Sequence, residues 1–205
     1  MQNVYLYLIT DDLRSRGRSV VEIVSGAVRG GAQCVQYRPR KISDEEFLRN
    51  AKELRKVTVE ASVRLIINTR IDIATLAEAD GVHLSAEGSP IKEARKLVGS
   101  EKIIGFSAHN LTEALNAQNE GANYITLSPL FTTTSASRPR TALGIEQWKE
   151  IASQVSVPIF ALGGINEDNL KEVLSAGIKR VAVVSAITEA DDITAAAKTI
   201  AKVLK

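Results

Sequence analysis

The chain is poor in the residues that staple, break or advertise a fold. One cysteine, one methionine, one tryptophan and five prolines are spread over 205 residues. A lone cysteine excludes a disulfide framework. Cys34 sits in the apolar run CVQY and reads as a small buried hydrophobe, which fits a reducing, cytoplasmic setting. No apolar run approaches the ~20 residues of a membrane span. The opening residues, MQNVYLYLITDD, carry neither a basic stretch nor a small-residue cleavage site, so no signal peptide is expected. Neither charge sign is in excess: 26 Lys and Arg face 24 Asp and Glu. That balance gives no field to attract nucleic acid or an anionic membrane, and neither partner is expected. Metal-ligand spacings are also missing. Glu78 and Glu87 have no partner carboxylate at such a spacing, and nothing resembles a zinc site or a Ser-His-Asp arrangement.

What is present is a rhythm. Short aliphatic runs recur as YLYLIT, CVQYR, RLIIN, GVHL, IIGFS, YITLS, PIFAL and RVAVV. They are too short for helices and do not alternate cleanly, as strands covered on both faces of a parallel sheet do not. Between them lie stretches with helical spacing. In VVEIVSGAVRGG, positions 20, 21, 24, 27 and 28 share one apolar face, closed by Gly30 and Gly31. Residues 44–61 are charged on one side, and EEFLRNAKELRK within them reads as a solvated face. Further helices are expected over 112–120 and 169–176. Eight strand-helix units in one chain predict an α/β fold, a (β/α)8 TIM barrel forming a single domain over residues 1–205. A doubly wound open sheet is the runner-up, but no G-x-G-x-x-G follows the first strand. Residues 132–144, TTTSASRPRTALG, form the one long irregular stretch, the kind used as a binding loop.

In such a barrel the site is built at the C-terminal ends of the strands. The strand ends here are Thr10-Asp11-Asp12, Gln36 to Arg40, Asn68-Thr69-Arg70, His83, Ser107-Ala108-His109, Ser128, Gly163-Gly164 and Ser185. Arg38 and Arg40 point to one side by alternation and suit a phosphate. Gly163 and Gly164, with Val184 and Ser185 after the last strand, suggest a second anion site made of backbone N–H groups. Glycines that merely make a turn are the competing explanation. His83 on its apolar run fits a core histidine better than a base, and His109 fits a helix cap as well as a catalyst. Arg138 and Arg140 reach either a phosphate or only water.

Read in order, YLITD, VQYRPR, LIINTR, ADGVHL, IIGFSAH, GANYITLSPLFTTTS, ALGGI and VAVVSAI resemble the thiamin phosphate synthase/TenI superfamily over nearly the whole chain. The resemblance implies small-molecule partners: thiazole phosphate, thiamin phosphate or a pyrimidine diphosphate. It implies that Gln36 and Arg38 contact pyrimidine and diphosphate, with Arg40 standing where synthases carry a lysine. Asn68 and Ser107 match the family's strand-3 asparagine and strand-5 serine. Thr133 and Ser135 match hydroxyls that grip phosphates, and Gly164 with Val184 and Ser185 matches the thiazole phosphate site.

The departures fall in one place. Synthases carry two acids that hold Mg²⁺, and here Thr69 and Gly88 occupy those positions. A hydroxyl and a glycine do not supply hard anionic ligands. Ala136 stands where synthases carry a diphosphate lysine. The expectation is therefore a TenI-like thiazole-phosphate enzyme without metal or other cofactor, with His109 and His83 as candidate catalytic residues. An active synthase requiring Mg²⁺, or a non-catalytic regulatory binding protein, are the alternatives. The histidine that serves the TenI tautomerase matches Pro129 here. Self-association into a homo-oligomer is expected only as a common habit of small barrels.

Overall fold

The aliphatic runs form strands because nearly every residue in them has somewhere apolar to go. A computed structural model describes residues 1–133 and 140–204. The strands are β1 (Leu6–Ile9), β2 (Cys34–Tyr37), β3 (Arg64–Asn68), β4 (Gly81–Leu84), β5 (Ile103–Ala108), β6 (Tyr124–Leu127), β7 (Ile159–Leu162) and β8 (Val181–Val183). All neighbours pair in parallel, and β1 pairs with both β2 and β8, so the sheet closes into a barrel. The (β/α)8 expectation holds, and the open-sheet runner-up does not.

Alternation divides each strand between two cores. Leu6 and Leu8 face outward into the shell shared with the helices, whereas Tyr7 and Ile9 face the barrel axis. The interior also takes Cys34, Ile66, Tyr124, Phe160, Ala182 and Val184. Each fully buried Leu, Ile or Phe contributes about 1.5–3 kcal/mol relative to exposure. Cys34 is completely buried, and burial pushes its thiol pKa up, so it is the inert hydrophobe that its run suggests.

The helices are α1 (Val20–Arg29), α2 (Asp44–Glu60), α3 (Ile71–Leu76), α4 (Ile91–Val98), α5 (Leu111–Asn119), α6 (Gly144–Ala152), α7 (Glu167–Ser175), α8 (Ser185–Thr188) and α9 (Ile193–Leu204). Ser19, Ser43 and Asn110 cap α1, α2 and α5 by accepting a bond from the backbone N–H three residues on. α7 begins two residues before the sequence expectation. Asn166 caps it reciprocally with Asn169, so Asn169 is already inside the first turn. α9 lies on α1, and the contact needs glycine. A Cβ at Gly30 would come within 2.5 Å of Ala197 Cβ and 2.6 Å of the Thr194 carbonyl oxygen. Among the described residues no helix is long and apolar enough to cross a membrane.

Candidate active site

The strand ends do converge. A cavity of about 270 Å³ opens at the C-terminal mouth of the barrel. Arg38, Asn68, Ser107, His109, Thr133, Gly163 and Val184 line it, as does Arg140. Gln36 and His83 lie beneath it, both buried in the barrel interior. Gly164 and Ser185 are not among its lining residues. Ser135, Ala136 and Arg138 lie outside the described residues.

The second strand delivers its arginines onto an acid that the sequence analysis noted but did not assign. Asp11 at the end of β1 is fully buried, and its Oδ2 accepts from Arg38 Nη2 at 3.1 Å and from Arg40 Nη2 at 2.8 Å. The backbone locks the pair further. Arg38 N–H donates to Thr10 Oγ1 at 3.0 Å, and Arg40 N–H donates to Asp12 Oδ1 at 2.9 Å. Burial, then the neighbouring Arg40, lowers the Arg38 pKa, while Asp11 opposes both. Arg38 keeps one buried Nε–H with no acceptor among the described residues. An orphaned buried donor costs about 1–3 kcal/mol.

The two histidines differ. His83 is buried, and burial followed by the Arg38 charge lowers its pKa to about 3. It is therefore a neutral ring, bonded at both nitrogens: Nδ1 to Tyr124 OH at 3.0 Å and Nε2 to Ser107 Oγ at 2.9 Å. His109 lines the cavity. Its Nδ1 lies 2.7 Å from the Ser128 carbonyl oxygen, which only a protonated Nδ1 can satisfy. Nε2 has no partner among the described residues. Glu113 holds the same turn by accepting from His109 N–H and from Asn110 Nδ2.

Gly163 and Gly164 are needed for close approach. A Cβ at Gly163 would come within 2.7 Å of Pro129 Cβ, and one at Gly164 within 2.7 Å of the Thr132 carbonyl oxygen. Both have positive φ, and their N–H groups take no part in the backbone hydrogen bonds of the described loops. The β7 turn thus buttresses the strand-6 loop as well as offering donors.

The Mg²⁺ site implied by the resemblance is not matched by the side chains. Thr69 Oγ1 donates to the Asn68 carbonyl at 2.8 Å, and Gly88 has no side chain to offer. The carboxylates lining the cavity are Glu87 and Glu113; Glu113 is spent on the His109 turn, and Glu87 is itself engaged. Among the described residues no group of three His, Cys, Asp or Glu side chains could hold a metal ion. This donor set does not fit a hard divalent cation that needs paired acids. Arg70 does not face the cavity either. It forms ion pairs with Asp44 and Asp72, at the starts of α2 and α3.

Tyr7 and Tyr124 were not legible in the sequence as residues of the site, and Asp11 stood there only as a strand-end polar residue without a role. Asp11 carried a signal, a carboxylate at the same strand-end level as two arginines. The tyrosines carried less, because run composition does not reveal which residues face the axis.

A family model described as thiamine monophosphate synthase matches residues 6–187. A protein named thiamine-phosphate synthase from Chloroflexus aurantiacus is 45% identical over 193 residues, covering 94% of this chain and 89% of that one. A protein of the same name from Clostridium novyi is 44% identical over 201 residues, 98% of each chain. Among solved structures, the thiamine phosphate pyrophosphorylase from Pyrococcus furiosus superposes with a TM-score of 0.89 at 35% identity, covering 98% of this chain and 95% of that one.

Proposed function

The chain belongs to the thiamine monophosphate synthase family, and on that premise we propose that it is a thiamin phosphate synthase, coupling a pyrimidine diphosphate to thiazole phosphate. This reading exchanges the order suggested by the sequence, where the TenI-like tautomerase came first. Names at 43–45% identity over nearly the full chain support the exchange. Pro129 supports it too, since a proline side chain has no proton to give or take at the position of the tautomerase histidine.

The reaction breaks the bond between the pyrimidine's exocyclic carbon and the diphosphate oxygen. The bonding pair leaves with the diphosphate, and the thiazole nitrogen attacks the carbon. No net proton is moved. The chemistry therefore asks for stabilisation of a departing anion rather than for an acid–base pair. The observation that carries the reading is Arg38: it lines the cavity, is braced by Asp11, and keeps a buried N–H without an acceptor. Arg40, held on the same carboxylate, adds charge beside it. Asn68, Ser107 and Thr133 would bind and orient the pyrimidine diphosphate. Gly163, Gly164, Val184 and Ser185 would seat the thiazole phosphate. No step is assigned to Mg²⁺, because Thr69 and Gly88 do not fit it. The use of a single cysteine, buried as a small hydrophobe, suits a cytoplasmic setting.

Purified protein, supplied with both substrates, should form thiamin phosphate and pyrophosphate in equal amounts. Arg38→Ala should lower kcat/KM about 100-fold, the scale of one lost charge-assisted contact. Absence of coupling, with or without added Mg²⁺, would overturn the synthase reading. The tautomerase is a second reading with its own support, His109, which lines the cavity with its Nδ1 held on the Ser128 carbonyl. It predicts loss of the non-aromatic thiazole tautomer that His109→Gln abolishes.

A further inference from the structure

Beneath the cavity, four buried polar side chains and Ser107 form one continuous hydrogen-bonded chain across the barrel axis. Gln36 Nε2 lies 2.8 Å from Tyr7 OH, Tyr7 OH 2.7 Å from Tyr124 OH, and Tyr124 OH 3.0 Å from His83 Nδ1. His83 Nε2 lies 2.9 Å from Ser107 Oγ, which lines the cavity. Gln36, Tyr7, Tyr124 and His83 are at most 3% exposed.

Each hydroxyl in such a chain has one proton, so a direction at one end propagates to the other. Gln36 Nε2 can only donate, so Tyr7 oxygen accepts. The buried Tyr7 proton then has a single outlet, Tyr124 oxygen. Tyr124 in turn donates to His83 Nδ1. The neutral ring therefore carries its proton on Nε2 and donates it to Ser107. Thr126 Oγ1, 3.4 Å away, also donates to Ser107 Oγ. With its oxygen accepting, Ser107 is left with its own proton to give to the cavity. The opposite polarity would leave the buried Tyr7 proton with no acceptor among the described residues, at a cost comparable to a lost hydrogen bond.

We infer that the Gln36 amide sets the polarity of the Tyr7–Tyr124–His83 chain and so makes Ser107 a hydrogen-bond donor to an anionic oxygen bound in the cavity. Gln36 and His83 act here as positioning residues. The anion rests on the function proposed above, whereas the polarity of the chain does not.

The molecule suits the test, because it has only two histidines. Two-bond ¹⁵N–¹H correlation spectra of the free protein should show one Nε2–H ring, His83, and one Nδ1–H ring, His109. His109→Gln assigns them by removing the second. An Nδ1–H tautomer for His83 in the wild-type protein would overturn the inference before any variant of the chain is made. Gln36→Glu should reverse the chain, because a carboxylate accepts from Tyr7, and His83 should switch to Nδ1–H. A folded Gln36→Glu protein with an unchanged His83 tautomer would also overturn it.

Inorganic pyrophosphate probes the cavity end. Ser107→Ala should weaken its binding about 10-fold, as for a hydrogen bond to a charged group. In the Gln36→Glu background the same substitution should cost less than about 2-fold, since the hydroxyl no longer donates. Equal costs in both backgrounds would sink the coupling. Failure of the wild-type protein to bind pyrophosphate, with the tautomers as stated, would count against the proposed function and the anion while leaving the polarity intact.

Discussion

At the scale of single residues, two side chains stand in environments that conflict with their type. His83 is buried with a pKa of about 3 against an ordinary 6.5. The unfolded chain therefore binds the extra proton between those values, and the folded one does not. Stability is full above pH 6.5 and falls as the pH drops below it, by about 1.4 kcal/mol per unit from this residue alone. Denaturant unfolding of wild type and His83→Gln at pH 6.5 and pH 5 should differ by that slope, and equal slopes would show His83 to be solvated. Thr69 is the second case. Its φ is +58°, a region that β-branched residues avoid and Asn tolerates. Thr69→Asn should raise Tm by about 2–4 °C, roughly 1 kcal/mol for a chain of this size. A lowered Tm would place the cost of the αL turn elsewhere. From composition the positions of Asn68 and Thr69 at a strand end were legible, because a polar cluster interrupts an apolar run. The αL backbone at 69 was not, since nothing in LIINTR marks the turn that His83 enforces by accepting from Thr69 N–H at 2.9 Å.

Between elements, the barrel interior shows what the strand pattern conceals. Tyr7 and Tyr124 pack edge-to-face with centroids 5.7 Å apart, and both pack on Phe160. Three rings fit inside so narrow a barrel because β5 contributes Gly105. A Cβ there would lie 2.1 Å from Tyr124 Cζ. Gly105→Ala should cost about 1–3 kcal/mol by overpacking. It should also displace Tyr124 from Tyr7, visible as a changed tyrosine ring-proton pattern. A neutral effect on both would mean that the interior has room that the rings do not use. The run IIGFS announces a strand but not this function for its glycine, because the need arises in β6, some twenty residues later. The same holds for Asp11. Locally its carboxylate accepts only from Leu13 N–H, two residues on. Its pairing with Arg38 and Arg40 exists only once β1 and β2 are in register, Ile9 opposite Gln36. Element order, strand count and fold were readable because burial on both faces forces aliphatic runs. The partners within the site were not, because they are set by register across strands.

For the whole molecule, closure is the decisive property. Eight parallel strands complete the ring when Leu6 and Leu8 of β1 meet Val181 and Val183 of β8. Outside that junction, α9 lies on α1 through Gly26 and Gly30. Gly30 has an ordinary φ of −78°, so a substitution there is penalised by contact and not by backbone conformation. Gly30→Ala should lower Tm by several degrees, about 1–3 kcal/mol, because the Thr194 carbonyl cannot move without its helix. Calorimetry checks the size of the loss; an unchanged Tm would show that α9 shifts freely. A sheet with no ends has no unpaired row of N–H and C=O groups for another chain to extend. Separating β1 from β8, beneath the α1–α9 seam, would create two such rows at once. The Gly30 variant should therefore fail by precipitating: turbidity should rise with protein concentration, and heating should become irreversible at temperatures where the parent chain still refolds.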